Sequence, residues 1–314
     1  MTVMLSRTAS NLYWMGRYVE RAEFTARLVE ATIRLDSLSA RPAGMGAWTS
    51  ALAVASATRG FNATGEKLSP MHVTRYLMLD EINGSSARSC IESARMNARA
   101  ARTAITREAW GTINRAWLAL KNRASPGGTQ ATLNLIDQIK AVARDFEGAV
   151  NRMLHSESYW FVRLGAAVER GDATARLLDV KYHLLLPEGE RVGGIIDRDQ
   201  WLTLLQVVSA RTAYHLLYPQ GLKPWLVAEM LVLRRQMPRS LIAVVEESGH
   251  MLSAIAGTVG KQGPADRLAR RRESALDRLD TDSLFQNGLH QFLTDFIQEN
   301  AALDAAIAQQ FRFT

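Results

Sequence analysis

The sequence predicts an all-α fold, a helical bundle with an internal pseudo-twofold duplication. Three observations predict it. Apolar residues recur at steps of three and four along most of the chain, no stretch alternates apolar and polar residues long enough to make a strand, and a thirteen-residue charged motif occurs twice.

The first long segment carries the period clearly. Leu12, Met15, Val19, Ala22, Ala26, Val29 and Ile33 form the apolar stripe of an amphipathic helix, predicted to cover at least Asn11–Leu35. Similar patterns occur in Val142–Leu154, Trp201–Leu217 and Leu284–Phe311, and a helix over Trp160–Leu185 is expected around the second copy of the motif. Eight prolines, from Pro42 to Pro264, punctuate the chain. Gly/Ser-rich breaks at Gly44–Gly46, Asn83–Ser86, Ser125–Gly128 and Gly193–Gly194 read as turns between helices.

The repeat sets Gly16-Arg-Tyr-Val-Glu-Arg-Ala-Glu-Phe-Thr-Ala-Arg-Leu28 against Gly165-Ala-Ala-Val-Glu-Arg-Gly-Asp-Ala-Thr-Ala-Arg-Leu177, with eight of the thirteen positions identical. A second match follows: Pro70, Val73, Leu77 and Leu79 align with Pro224, Val227, Leu231 and Leu233, and Ser86 and Glu92 then fall on Ser240 and Glu246. Two copies are too few for a solenoid. The expectation is a single domain over 1–314, built from a repeat over 1–155 and a second over 156–314, with no long polar linker between them.

On a helix, Gly16, Glu20, Glu23 and Arg27 fall within roughly 60° of one another, and the second copy gives Gly165, Glu169, Asp172 and Arg176. Arg21 falls off this ridge. Glycine inside a helix costs about 1 kcal/mol against alanine, so its presence in both copies suggests that something approaches closely there. Three readings compete. Glu23–Arg27 and Asp172–Arg176 form (i, i+4) ion pairs while Glu20 and Glu169 bond to a neighbouring helix. Alternatively the ridges face one another, and four carboxylates with two arginines, net −2, hold Mg²⁺ or an amine. The third reading is a docking surface for a partner protein.

A second constellation starts after Ser86. Arg88, Arg95, Arg99 and Arg102 lie on one side of a helix with Asn97 nearby, a row suited to phosphate or carboxylate. Without interleaved aromatics it does not argue for single-stranded nucleic acid, and its ordinary reading is pairing with Glu92 and other acids. The run Arg267, Arg270, Arg271 and Arg272 reads as a solvated helix face. Glu247-Ser-Gly-His250 lacks the second motif that a di-iron bundle needs, and Cys90 sits among small and apolar residues that suggest buried packing.

Composition sets the outer limits. With 314 residues, 47% hydrophobic, the chain has enough apolar material for a large core. One cysteine rules out a disulfide framework or a cysteine-rich metal module. The net charge of +7 permits an anionic partner without requiring one. There is no readable signal peptide and no stretch long enough to span a membrane, so a soluble, cytoplasmic protein is expected. No phosphate-binding loop, nucleophile elbow or dinucleotide fingerprint is present, and no metal or cofactor site is expected from motifs.

The opening, from Met4 through Leu28, closely resembles the start of the bacterial alpha-E domain family. The likeness continues through Ser85–Arg99, Val168–Leu177 and Met237-Pro-Arg-Ser240. The resemblance implies a helical fold, and a genomic setting beside a circularly permuted ATP-grasp protein and a transglutaminase-like protein. From that company the expected role is an auxiliary component of a peptide or amide-bond-forming system. The alternatives are an enzyme with a carboxylate-lined Mg²⁺ or ligand site between the halves, and a polyanion-binding module, with nucleic acid the weaker partner.

Overall fold

A computed structural model describes residues 4–38, 45–183, 195–286 and 288–313. The described residues form fifteen α-helices and no strand. The first half supplies α1 (Ser6–Leu38), α2 (Met45–Val54), α3 (Thr58–Ala63), α4 (Pro70–Met78), α5 (Ala87–Ala100), α6 (Arg107–Leu120) and α7 (Thr129–Val150). The second supplies α8 (Glu157–His183), α9 (Ile195–Val207), α10 (Arg211–Leu217), α11 (Pro224–Leu233), α12 (Leu241–Val259), α13 (Pro264–Asp277), α14 (Thr281–Gln286) and α15 (Leu289–Phe311).

Local chemistry starts and stops these helices alike in both halves. Ser86 and Ser240 cap α5 and α12, each hydroxyl accepting from the backbone N–H three residues on. Pro70 and Pro224 open α4 and α11, where a missing N–H costs nothing. Ser56 (φ 53°) and Ser209 (φ 58°) adopt left-handed backbone after α2 and α9, and the chain turns into α3 and α10. The buried faces also correspond: Cys90, Ala94 and Ala98 on α5, with Ala101 just past its end, match Val244, Ser248, Leu252 and Ile255 on α12.

Some boundaries differ from the sequence reading. Trp201–Leu217 is two helices, because the left-handed Ser209 breaks it. Leu284–Phe311 is likewise divided, with Gly288 (φ 89°) before α15. The periodicity of Val142–Leu154 belongs to the longer α7, which ends at Val150. Gly46 lies inside α2 rather than in a turn. Gly44, Gly193, Gly194, and the last two residues of the expected Trp160–Leu185 helix lie outside the described residues.

The long helices α1 and α8 form the centre. α1 packs against α2, α4, α5, α7, α8, α9 and α15, and α8 against α1, α2, α9, α12 and α15. Their apolar residues divide between two buried clusters. Val19 and Val168 belong to one, and Ala22 and Ala173 to the other. Between them on both helices stand Glu20-Arg21 and Glu169-Arg170, a charged layer across the middle of the core.

Candidate functional site

The crossing of α1 and α8 depends on its two glycines. A methyl group on Gly16 would lie 2.1 Å from the Val162 carbonyl oxygen, and one on Gly165 would lie 2.0 Å from that of Tyr13. The contacts are reciprocal, since Val162 stands three residues before Gly165 as Tyr13 does before Gly16. Tyr13 meets Gly165, Arg17 meets Glu169 and Glu20 meets Arg170. The numbers rise together, so the helices run in the same direction where they meet.

One turn beyond the glycines, the Glu-Arg dipeptides exchange partners. Arg170 Nη2 donates to Glu20 Oε2 at 3.0 Å, while Arg21 donates Nε and Nη2 to the two Glu169 oxygens at 2.6 and 2.8 Å, a bidentate grip. Each glutamate then receives a second guanidinium from elsewhere. Arg239, just before the start of α12, donates to Glu20 Oε1 at 2.5 Å, and Arg17 Nε donates to Glu169 Oε2 at 2.9 Å. Both glutamates are buried, at 6% and 5% exposure.

The network continues outward from this pair. Arg239 also donates to Glu23 at 3.0 Å, and Glu23 accepts from Arg27 on its own helix at 2.7 Å. Arg170 reaches Glu247 at 3.3 Å, and Glu247 pairs with Arg163. Arg17 pairs with Asp304 at 2.8 Å, whose carboxylate accepts from the Tyr13 hydroxyl. Asp172 is half-buried and pairs with Arg176 at 2.7 Å, one turn along its own helix.

Burial by itself would raise the pKa of Glu20, but Arg170 and Arg239 reverse that and hold it at about 2. Burial likewise opposes ionisation of Glu169, and Arg21 and Arg17 outweigh it, leaving the pKa lowered. For Arg17, Arg21 and Arg170 burial favours the neutral form, yet the facing carboxylates leave each pKa raised. These groups are fixed in their charged forms around neutral pH. They neutralise one another and offer neither a general acid nor a general base.

This geometry corrects the convergence of four carboxylates and two arginines with net charge −2. Glu20 and Glu23 share Arg239 and Glu169 is held separately by Arg17 and Arg21, so that Arg17, Arg21, Arg170 and Arg239 occupy the carboxylate oxygens. Among the described residues no group of three or more His, Cys, Asp or Glu side chains has the arrangement to hold a metal ion. Sequence reasoning passed over these four arginines. Arg21 lies off the Glu20 ridge on its own helix, yet it points at the neighbouring one. The available signal was the Glu-Arg dipeptide itself, present in both copies.

The arginine row is divided, with Arg88 held apart from the other three. Arg88 is tied to Glu81 and to the Lys121 carbonyl at 2.8 Å. Arg95 donates to the Asn114 side-chain oxygen at 2.8 Å and, with Arg102, lies by the Trp110 ring, at 5.9 and 5.5 Å from its centre. Arg99 is exposed. Asn97 lies about 200° round the helix from Arg95 and does not belong to the row. Trp110 brings from α6 an aromatic ring that α5 itself lacks.

The remaining candidates resolve more simply. Arg267, Arg270 and Arg271 are exposed on α13, as a solvated face requires, but Arg272 is buried over the Phe296 ring at 4.6 Å and donates to Asn300. Glu247 serves the central arginines while His250 is exposed, so the Glu-x-x-His pair is separated in role. Cys90 is buried, and burial, reinforced by Glu169 against the pull of Arg21, pushes its thiol up to about 12. It is not a nucleophile at neutral pH. No described helix is long and apolar enough to cross a membrane.

Residues 4–311 match the Alpha-E family, described as a predicted alpha-helical domain with a conserved ER motif. Among curated proteins and among solved structures, none matches the chain significantly.

Proposed function

The chain belongs to the Alpha-E family, and on that premise we propose that it is a non-catalytic auxiliary component of an amide-bond-forming system built around a circularly permuted ATP-grasp protein. A transglutaminase-like protein is the second partner that the family resemblance brings with it. The observation that carries the non-catalytic reading is the exchange of partners between Glu20-Arg21 and Glu169-Arg170. The charged residues that the two halves share are used up on one another at the centre of the core. We read the family's ER motif as these two dipeptides and its role as structural. The same exchange, with the paired glycines, caps and left-handed serines, supports an origin of 1–155 and 156–314 by duplication within one domain.

Co-expression of the chain with a circularly permuted ATP-grasp protein from the same source tests the proposal. The expected result is a stable complex on size exclusion and a change in the ligase's ATP turnover when the chain is added. A chain that neither associates with the ligase nor alters that turnover refutes it. Amide-forming or amide-cleaving activity in the isolated chain would refute its non-catalytic character.

A further inference from the structure

Arg95, Arg99 and Arg102 differ from the arginines of the core. Among the described residues none of the three forms an ion pair, whereas Arg17, Arg21, Arg27, Arg163, Arg170 and Arg239 all do. Arg95 and Arg99, four residues apart, lie on one side of α5 within about 40°, and Arg102 stands in the turn that follows the helix. Arg95 is held by a neutral amide oxygen, and it and Arg102 lie by the same Trp110 ring. The guanidinium planes of Arg95 and Arg102 are therefore positioned by an aromatic ring and, for Arg95, an amide, Arg99 extends from the exposed side beside them, and no ion pair cancels their charge.

The second half acts as an internal control, a comparison that rests on the equivalence of the halves proposed above. Matching the buried faces of α5 and α12 puts Gly249, Ser253 and Ala256 where the first half carries Arg95, Arg99 and Arg102. α12 packs against α8 as α5 packs against α1 with no charge at any of these positions. Packing in this fold does not call for the arginines.

We propose that the Arg95–Arg99–Arg102 face, braced by Trp110, docks a short acidic segment of a partner protein. The run from Arg95 on α5 to Arg102 in the turn beyond it spans on the order of 10 Å at helical rise, which suits two or three carboxylates of a peptide gripped in pairs. It is short for a nucleic-acid backbone, which needs a longer cationic track. Trp110 is a single ring with two guanidiniums beside it, whereas single-stranded nucleic acid is held on successive aromatic platforms.

The test uses the full chain and a fluorescent peptide of about a dozen residues rich in glutamate, titrated by anisotropy at low salt. The variant R95Q/R99Q/R102Q is compared with R267Q/R270Q/R271Q, which removes the same charge from the exposed face of α13. The proposal expects wild-type binding that weakens as salt rises, a loss of at least about tenfold in the α5 variant, and little change in the α13 variant. Arg99→Gln alone, at an exposed position with no partner to lose, is expected to weaken binding by a few-fold, so a fold defect in the triple variant would not hide the answer. No binding by the wild type overturns the proposal, as does equal loss in the two triple variants. Tighter binding of a single-stranded RNA of similar length through the same three arginines also overturns it, in favour of nucleic acid. None of these outcomes depends on association with the ATP-grasp protein, so the two proposals fail separately.

Discussion

Gly16→Ala tests the central crossing directly. Alanine is the better helix former by about 1 kcal/mol, so a glycine with open surroundings should gain stability on this change. At Gly16 the added methyl would stand 2.1 Å from a backbone oxygen of α8, against an ordinary contact of 3.4 Å or more. The obstacle is main chain, which cannot rotate aside. Relief needs the helices to separate by roughly 1 Å, and the Arg17–Glu169 and Arg170–Glu20 bonds, at 2.9 and 3.0 Å, lie within the next turn. Overpacking of this kind costs about 1–3 kcal/mol, and weakened buried ion pairs add to it. We expect a net loss of about 3 kcal/mol or more for Gly16→Ala and a similar loss for Gly165→Ala. Gly257 on α12, with nothing within 4 Å of its would-be methyl, is the control and should gain up to about 1 kcal/mol on the same substitution. Urea unfolding followed by circular dichroism measures all three. Gly16→Ala within 1 kcal/mol of wild type would refute the argument.

The other expectations concern the charged layer and Arg272. Glu169→Gln leaves the buried Arg17 and Arg21 facing a neutral amide and should cost about 3–5 kcal/mol; a loss below 1 kcal/mol by urea unfolding would remove the layer from the account of stability. Acid should undo the same layer. The Glu20 carboxyl is held at about 2, and that of Glu169 is also lowered, so their stabilisation is complete above the unfolded carboxylate range near 4.5 and lost as pH falls towards 2; unfolding free energy that stays flat across pH 5 to 3 contradicts this. Arg272 runs the other way. Burial, opposed only in part by Glu299, pulls it down to about 10, so its charge is a cost to the folded state at pH 7. Arg272→Met should therefore be neutral or stabilise by about 1–3 kcal/mol, and a fall in melting temperature of several degrees would show that the Asn300 bond and the stacking on Phe296 matter more.

Much of the fold was legible because helices announce themselves locally. The stripe from Leu12 to Val29 is buried as its period requires, and the cost of glycine inside a helix correctly implied a close approach at Gly16 and Gly165. Ser56 and Ser209 were not legible, since left-handed backbone at a serine follows from the packing of the flanking helices and not from a glycine signal. The candidate site was half legible. The (i, i+4) pairs Glu23–Arg27 and Asp172–Arg176 are local, and so they could be read from spacing. Arg21 could not, because a helical wheel gives its direction relative to its own helix and says nothing of where α8 lies. Arg239 reaches Glu20 across 219 positions of sequence, and no periodicity encodes that meeting. The contents of the charged layer are set by tertiary contact, whereas its position was marked in the sequence by the repeated dipeptide.

A charged layer between two apolar clusters is a poor way to gain stability, since desolvation of each ion costs several kcal/mol and well-packed apolar side chains do as well or better. Its contribution is better understood through the structures it excludes. α1 and α8 are both long and buried on several sides, so apolar contact alone would tolerate sliding of one past the other. A shift of α8 by one turn would put Thr174 opposite Glu20 and Ala173 opposite Arg21, leaving buried charges unpaired at about 3–5 kcal/mol each. The same shift would carry Gly165 and Gly16 away from the backbones they admit. Glycines and dipeptides thus specify one register twice, by different physics. Because Arg239 binds both Glu20 and Glu23, the start of α12 is fixed to that register as well. On this argument the repeated motif fixes the relative position of the two halves, and any surface with a task of its own, the arginine face of α5 among them, is held at a defined place by that central lock.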